Sequence, residues 1–219
     1  MTKSLKSVKM DEFKSLKDSK IKETIDVYDK FAKQYSDYTF EQIMQFQLMQ
    51  FTNYLDKKAK ILDIGCASGR DVEYLGEEGF DVKGIDISKN LIKEAKIRVP
   101  KGKFKHMDMA ALSYKDESFN AIWCHGTLCH VKKGSVASVL KEFKRVLKSK
   151  GILYIGLRAG KGQGMVSFSD TANMPRFFAF YSLEELKNHM KKAGFTILKA
   201  YSEKDGHTGT WLNMFVQKN

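Results

Sequence analysis

The sequence predicts an α/β protein in which a mostly parallel β-sheet carries helices on both faces. Three observations support this: short apolar runs alternate with amphipathic stretches between Lys60 and Leu157, the first run ends in a glycine-rich turn, and acidic residues close three successive runs. Ile61-Leu62-Asp63-Ile64 reads as a strand leading into Gly65, followed by a helix over Ser68–Glu78. The unit repeats as Asp81–Ile85 with a helix over Ser88–Arg98, then as Lys103–Met107 with a short connection through Ala110-Ala111-Leu112. Phe119–Cys124, a helix over Ser135–Leu147 and the strand Ile152–Leu157 complete the alternating part. Ser182-Leu-Glu-Glu185 is a capping box that opens a helix ending near Gly194. Two strands follow, Phe195–Tyr201 and Trp211–Val216, turned by Gly206 and Gly209, and they predict an antiparallel edge on the sheet. Ahead of the sheet, three-to-four spacing of Phe13, Leu16, Ile21, Ile25 and Tyr28, then of Phe40, Ile43, Met44, Phe46, Gln47 and Leu48, predicts two helical stretches within residues 11–56. The expected organisation is a helical cap over 1–56 and a sheet domain over 57–219, within one structural domain. The glycine-rich stretch from Arg158 to Pro175 reads as a mobile loop at a strand's C-terminal edge, placed to act as a lid.

Composition excludes several classes. With 219 residues, 42% of them hydrophobic, the chain can bury a core, and 29% charged residues give no disorder signature. No apolar run approaches the roughly 20 residues that cross a bilayer. Met1–Met10 lacks the apolar segment of a signal peptide. Three cysteines, Cys66, Cys124 and Cys129, make a disulfide framework unexpected, so the expected setting is the reducing cytoplasm, with no membrane partner. The excess of 38 Lys and Arg over 26 Asp and Glu gives a net charge of +12, which favours anionic partners. The lysines are spread along the chain with no Arg-rich or aromatic-interleaved stretch, so RNA ranks behind a small molecule as partner.

The glycine turn separates nucleotide classes. A dinucleotide fingerprint needs glycine at 67 and 70, where this chain has Ala67 and Arg70, and no triphosphate-cradling pattern is present at the turn. Asp63 would repel a pyrophosphate and attract an ammonium or sulfonium. Asp86, 21 residues after Gly65, stands where an acid takes both ribose hydroxyls. Asp108 follows the third strand, where its carboxylate can meet an adenine amino group with Met107 or Met109 against the ring. Each acid alone is an ordinary turn or cap residue; three at consecutive strand ends point to a cationic nucleoside.

L-D-I-G-C-A-S-G-R, then G-I-D-I-S, then H-M-D-M resembles the class I S-adenosylmethionine-dependent methyltransferases, over roughly residues 25–217. The resemblance implies a Rossmann-like three-layer sandwich whose seven-stranded sheet has a reversed last strand, with S-adenosylmethionine as cofactor and S-adenosylhomocysteine as product. It implies that Asp63 and the Gly65–Gly69 backbone, with Cys66 and Ala67, hold the methionine part. Asp86 and Ile87 would take the ribose, Asp108 and Met109 the adenine, and Cys124 would complete the set. Tyr28 and Tyr35, seven apart, would close over the cofactor or else pack in the core. Ala67 departs from the glycine common in the family.

The segment Phe119–Val131 reaches the acceptor side. His125 and His130 are its general-base candidates, and Leu128-Cys-His130-Val131 is similar to a signature of the small-molecule branch, which makes His130 the expected catalytic residue. The Cys124-His125 and Cys129-His130 pairs match no zinc spacing, and no metal is expected. Arg158 and Arg176 bracket the loop and can bind an acidic acceptor, with His125, Tyr181 and the neighbouring Phe177, Phe178 and Phe180 as pocket wall. The expected function is methyl transfer to a small molecule by a monomer or homodimer. The alternatives are methylation of RNA, and a regulator that binds the cofactor without turnover.

Overall fold

A computed structural model describes residues 13–204 and 209–219; Met1–Met10 and the turn at Gly206 lie outside them. Helices α1 (Ser19–Lys30), α2 (Ala32–Thr39) and α3 (Gln45–Thr52) precede the sheet. Asp18 caps α1, accepting from the amides of Lys20 and Ile21. Strand β1 (Lys60–Ile64), helix α4 (Arg70–Glu77), β2 (Asp81–Asp86), α5 (Lys89–Arg98), β3 (Lys103–His106), β4 (Phe119–His125), α6 (Val136–Val146) and β5 (Leu147–Arg158) follow in the expected alternation. After β6 (Gln163–Ser167) and β7 (Pro175–Ala179) come α7 (Leu183–Lys192), β8 (Phe195–Lys204) and β9 (Thr210–Lys218). Ser182 Oγ accepts from the Glu185 amide at 3.1 Å, as the capping box requires, and Gly194 ends the helix at φ +77°.

The seven-stranded sheet runs β3-β2-β1-β4-β5-β9-β8, and β9 alone runs against its neighbours. The reversed strand β9 lies between β5 and β8, so the two terminal strands form the expected antiparallel edge, with β8 outermost. Two expectations are corrected. Among the described residues, the N-terminal region holds three helices and a 3-10 turn over Lys14–Lys17, not two helical stretches. The glycine-rich loop folds its two ends into a hairpin of β6 on β7, with register from Gln163–Ala179 to Ser167–Pro175, so it is an ordered wall. Strand β7 is buried from Arg176 to Ala179, and its Phe177 amide donates to Thr24 Oγ1 of α1 at 2.8 Å.

Period-two alternation divides the sheet's side chains between two cores. Leu62, Ile64, Ile122, Cys124, Leu153 and Ile155 face α6, α7 and the hairpin. Ile61, Ala121, Trp123, Tyr154 and Phe215 face α3 and α4, where Phe51 meets Trp123 edge-on and Trp123 stacks on Tyr154 with centroids 4.0 Å apart. Among the described residues no helix is long and apolar enough to cross a membrane.

Candidate active site

The turn after β1 is built against the end of β2. The amides of Gly65 and Cys66 both donate to the Ile85 carbonyl, at 2.8 and 3.0 Å, and the Gly69 amide donates to the Cys66 carbonyl. Gly65 has φ +76°, and a Cβ there would lie 2.0 Å from Thr127 Oγ1, so the position needs glycine both for conformation and for space. Ala67 takes φ +46° without being glycine, and its amide donates to Asp86 Oδ2 at 3.0 Å. With the amides of Gly65, Cys66, Ala67 and Gly69 engaged within the protein, the turn leaves few amide donors for a phosphate.

Asp86 offers the opposite chemistry. Its Oδ1 accepts from the Ser88 amide at 2.8 Å, leaving about two of the four carboxylate lone-pair sites toward the cleft it lines. Burial pushes its carboxyl up to about 6, against the lowering effect of these two amides. Asp108, also lining the cleft, accepts from the Ser15 amide at 2.7 Å, Ser15 Oγ at 2.8 Å and the Ala110 amide at 2.8 Å. Phe13 stacks on His106 beside it, so the segment before α1 closes this end of the cleft.

Asp63 lies one layer behind. It is buried, does not line the cleft, and its Oδ2 has no hydrogen-bond partner. Strand parity explains this: with Asp63 paired to Trp123 in register, its side chain enters the α3/α4 face beneath the turn. Burial, and then the nearby Asp71, push its carboxyl well above the ordinary range. Asp71 itself is kept below that range although burial opposes it, because Arg70 grips both its oxygens at 2.7 and 2.9 Å and Trp123 Nε1 donates at 2.8 Å. Arg70 and Asp71 were missed by sequence reasoning; the available signal was an acid in the first turn of a helix that follows a glycine turn. Asp29 was missed as well. It accepts from Ser88 Oγ at 2.5 Å and the Asn90 amide at 3.0 Å, fastening α1 to the start of α5.

The cleft, about 1200 Å³, is also lined by Cys66, Ala67, Ile87, Met109, Tyr28, Tyr35, His125, His130, Arg158 and Arg176, all expected at the site. Gly69, Cys124 and Tyr181 join Asp63 in not lining it. Gly69 (φ +90°) seats Phe104 where a Cβ would sit, Cys124 points from β4 into the opposite core, and Tyr181 packs between the Lys133 ammonium and His189. His130 lines the cleft, but both ring nitrogens are engaged: Nδ1 meets the Phe177 carbonyl at 2.7 Å and Nε2 meets Tyr28 Oη at 2.9 Å. Since a carbonyl only accepts, Nδ1 carries the proton and Nε2 accepts from Tyr28. Burial lowers the His130 pKa to about 4.

Arg176 NH1 donates to Tyr28 Oη at 2.7 Å and NH2 to Asp170 at 2.5 Å, and the guanidinium lies over Tyr28 at 4.8 Å. Arg176 is 1% exposed, so this is a buried ion pair on which α1, β7 and Tyr28 converge. Arg176→Met should leave Asp170 without its partner and lower unfolding stability by about 3 kcal/mol, read from denaturant midpoints; a change within about 0.5 kcal/mol would contradict the pairing. Arg158 lies over Phe168 at 4.6 Å and Trp211 at 5.3 Å, at the far side of the same cleft.

Residues 62–155 match the family described as "Methyltransferase domain". The putative methyltransferase YqeM of Bacillus subtilis is 36% identical over 104 residues, 45% of this chain and 42% of that protein. The eEF1A lysine and N-terminal methyltransferase of Homo sapiens is 30% identical over 143 residues, 62% of this chain and 20% of that protein. The chain thus spans less than half the length of these curated relatives. The crystal structure of Burkholderia thailandensis 1,6-didemethyltoxoflavin-N1-methyltransferase, with 1,6-didemethyltoxoflavin and S-adenosylhomocysteine bound, shares the fold at TM-score 0.70 and 20% identity, covering 89% of this chain and 88% of that one.

Proposed function

We propose that this chain, which carries a methyltransferase domain over residues 62–155 on the class I S-adenosylmethionine-dependent methyltransferase fold, transfers the methyl group of S-adenosylmethionine to a small-molecule acceptor. The observation that carries the reading is the chemistry of the turn: four of the five amides over Gly65–Gly69 are engaged internally, while Asp86 and Asp108 present carboxylates to the cleft, an acceptor-rich cradle that suits a cationic adenosyl compound better than a pyrophosphate. When bound, that cofactor supplies an electrophilic methyl on a sulfonium. Asp86 holds the ribose hydroxyls with its spare lone pairs while its other sites brace the Gly65–Gly69 turn. Ile87 and Met109 line the cleft near Asp86 and Asp108 and take the adenine faces, with Ser15 and Phe13 closing that end. Asp71, held ionised by Arg70 and Trp123 Nε1, is the buried carboxylate beside the methionine part, while Asp63, whose carboxyl is raised by burial and by Asp71, backs the turn as a neutral group.

Transfer in line needs little covalent help, so the chain contributes orientation and exclusion of water. Tyr28, Tyr35 and the β6/β7 hairpin wall the acceptor half, and Arg158 supplies positive charge for an acidic group on the acceptor, while Arg176, paired with Asp170 and Tyr28, braces the wall. His130 serves this wall by fixing Tyr28, since its two nitrogens are already engaged. The likeness to the toxoflavin-type enzyme supports a small-molecule acceptor, whereas the eEF1A enzyme acts on protein.

Incubation of the protein with methyl-labelled S-adenosylmethionine and cell extract split into metabolite, RNA and protein fractions tests this. Label is expected in the metabolite fraction. Label only in RNA or protein would overturn the acceptor class, and tight cofactor binding with no label in any fraction would make the chain a cofactor-binding regulator.

A further inference from the structure

Resting on the methyl-transfer reading, the geometry points to Nε2 of His125 as the proton acceptor for a hydroxyl substrate, with Tyr154 and Asn213 as the positioning residues that set its tautomer. His125 ends β4 on the same face as Trp123 and lines the cleft. Its ring stacks on Trp211, centroids 4.7 Å apart and planes 15° from parallel, and lies over Gly156, where a Cβ would come within 2.4 Å of Nδ1. Only glycine leaves room for the imidazole in this place.

The hydrogen bonds run in one direction. Tyr154 Oη donates to Asn213 Oδ1 at 2.7 Å, which uses the phenol's single proton. With the Asn213 amide in this orientation, which leaves its Nδ2 buried without a partner, the same oxygen stands 3.4 Å from His125 Nδ1 with only a lone pair left to offer, which assigns the ring proton to Nδ1 and leaves Nε2 bare. No group among the described residues bonds Nε2, in contrast to His130, whose two nitrogens are both engaged. The charged groups that face the ring are Arg70, Arg158 and Asp71. Burial first, then Arg70, lower the His125 pKa to about 4 against the pull of Asp71, so the ring stays neutral throughout the physiological range.

A base this weak suits oxygen. As the acceptor oxygen bonds the methyl carbon, the carbon–sulfur bond breaks with its electron pair left on sulfur, and the hydroxyl becomes an oxonium far more acidic than imidazolium. Its proton passes to Nε2, the imidazolium keeps Nδ1–H on Tyr154 Oη, and the proton leaves to water with the products. An amine acceptor would gain nothing here, because its methylated ammonium holds its proton more tightly than imidazolium does.

Two measurements on the cofactor-free protein test the assignment without any acceptor. Diethyl pyrocarbonate at pH 5.5, followed by fragment mass spectrometry, should carbethoxylate His125 and leave His130 unmodified. Nitrogen-15 NMR of the imidazole should show His125 as the Nδ1–H tautomer, and Tyr154→Phe, which keeps the ring stack, should shift the tautomer ratio toward Nε2–H by about fivefold. An unreactive His125, or an Nε2–H tautomer in the wild type, overturns the proposal, and the wild-type readouts decide even if Tyr154→Phe does not fold. Calorimetry with S-adenosylhomocysteine on the same protein reports the cofactor site separately: no binding there would overturn the methyl-transfer reading while leaving the tautomer result standing.

Discussion

Asp86→Ala should weaken S-adenosylhomocysteine binding at least about tenfold, because charge-assisted hydrogen bonds to a ligand's hydroxyls contribute about 1.5–3 kcal/mol. The loss is larger than for a simple contact residue, since the same carboxylate accepts the Ala67 and Ser88 amides that shape the turn. The wild-type protein should reveal the group by pH. Asp86 has its pKa raised to about 6, and the ribose needs the carboxylate form, so protons compete with the ligand. Affinity is full above about pH 6 and is lost as pH falls through that value, by about tenfold between pH 7 and pH 5. Asp86→Asn should flatten this profile. Affinity in Asp86→Ala within twofold of wild type, or a wild-type affinity constant from pH 7 to 5, would remove Asp86 from the site.

Gly65→Ala should be the most damaging small substitution in the chain. The added methyl meets Thr127 Oγ1, Cγ2 and Cβ at 2.0, 2.3 and 2.7 Å, so rotating the Thr127 side chain does not clear it, and the backbone at φ +76° adds about 1–2 kcal/mol of conformational cost for a residue with a Cβ. The end of β1 must then move away from the segment after β4, which carries the turn off Ile85 and Asp86. A stability loss above about 2 kcal/mol is expected together with loss of measurable cofactor binding. The double variant Gly65→Ala/Thr127→Gly removes the collision but not the φ cost, so denaturant unfolding should recover part of the stability. Simple additivity of the two single variants would mean that the contact does not govern the turn.

The sequence carries the parts of this architecture that depend on local pattern. Ile61–Ile64, Asp81–Ile85 and Ile152–Leu157 are apolar enough to be strands whatever their neighbours, and Gly65 and Asp86 occupy positions whose chemistry follows from a strand-turn-helix unit. What was not legible depends on tertiary choice. The placing of β9 between β5 and β8 is a matter of which strand edge is open, and nothing in Trp211–Val216 records it. The helix Ala32–Thr39 carries no apolar stripe to find, since it buries only Ala32 and Ser36, and the expected stretch from Phe40 starts ahead of the helix Gln45–Thr52. The β6/β7 hairpin hid in a glycine-rich segment whose pairing comes from Thr24 and α1, far away in the chain. Asp63, Cys124 and His125 show a signal that was present but unused: strand parity puts Cys124 on one face and Trp123 with His125 on the other, and register puts Asp63 beside Trp123 beneath the turn.

The crevice beyond β1, β2 and β3 should select an adenosyl compound with a cationic or neutral sulfur centre over a phosphate-bearing nucleotide. Calorimetric titration of one protein preparation with S-adenosylmethionine, S-adenosylhomocysteine, ATP and NAD tests it directly. Saturable binding of the first two, weakened alike by Asp86→Ala, is expected, with no heat of binding from ATP or NAD. Binding of ATP or NAD that displaces S-adenosylhomocysteine at comparable concentration would contradict it.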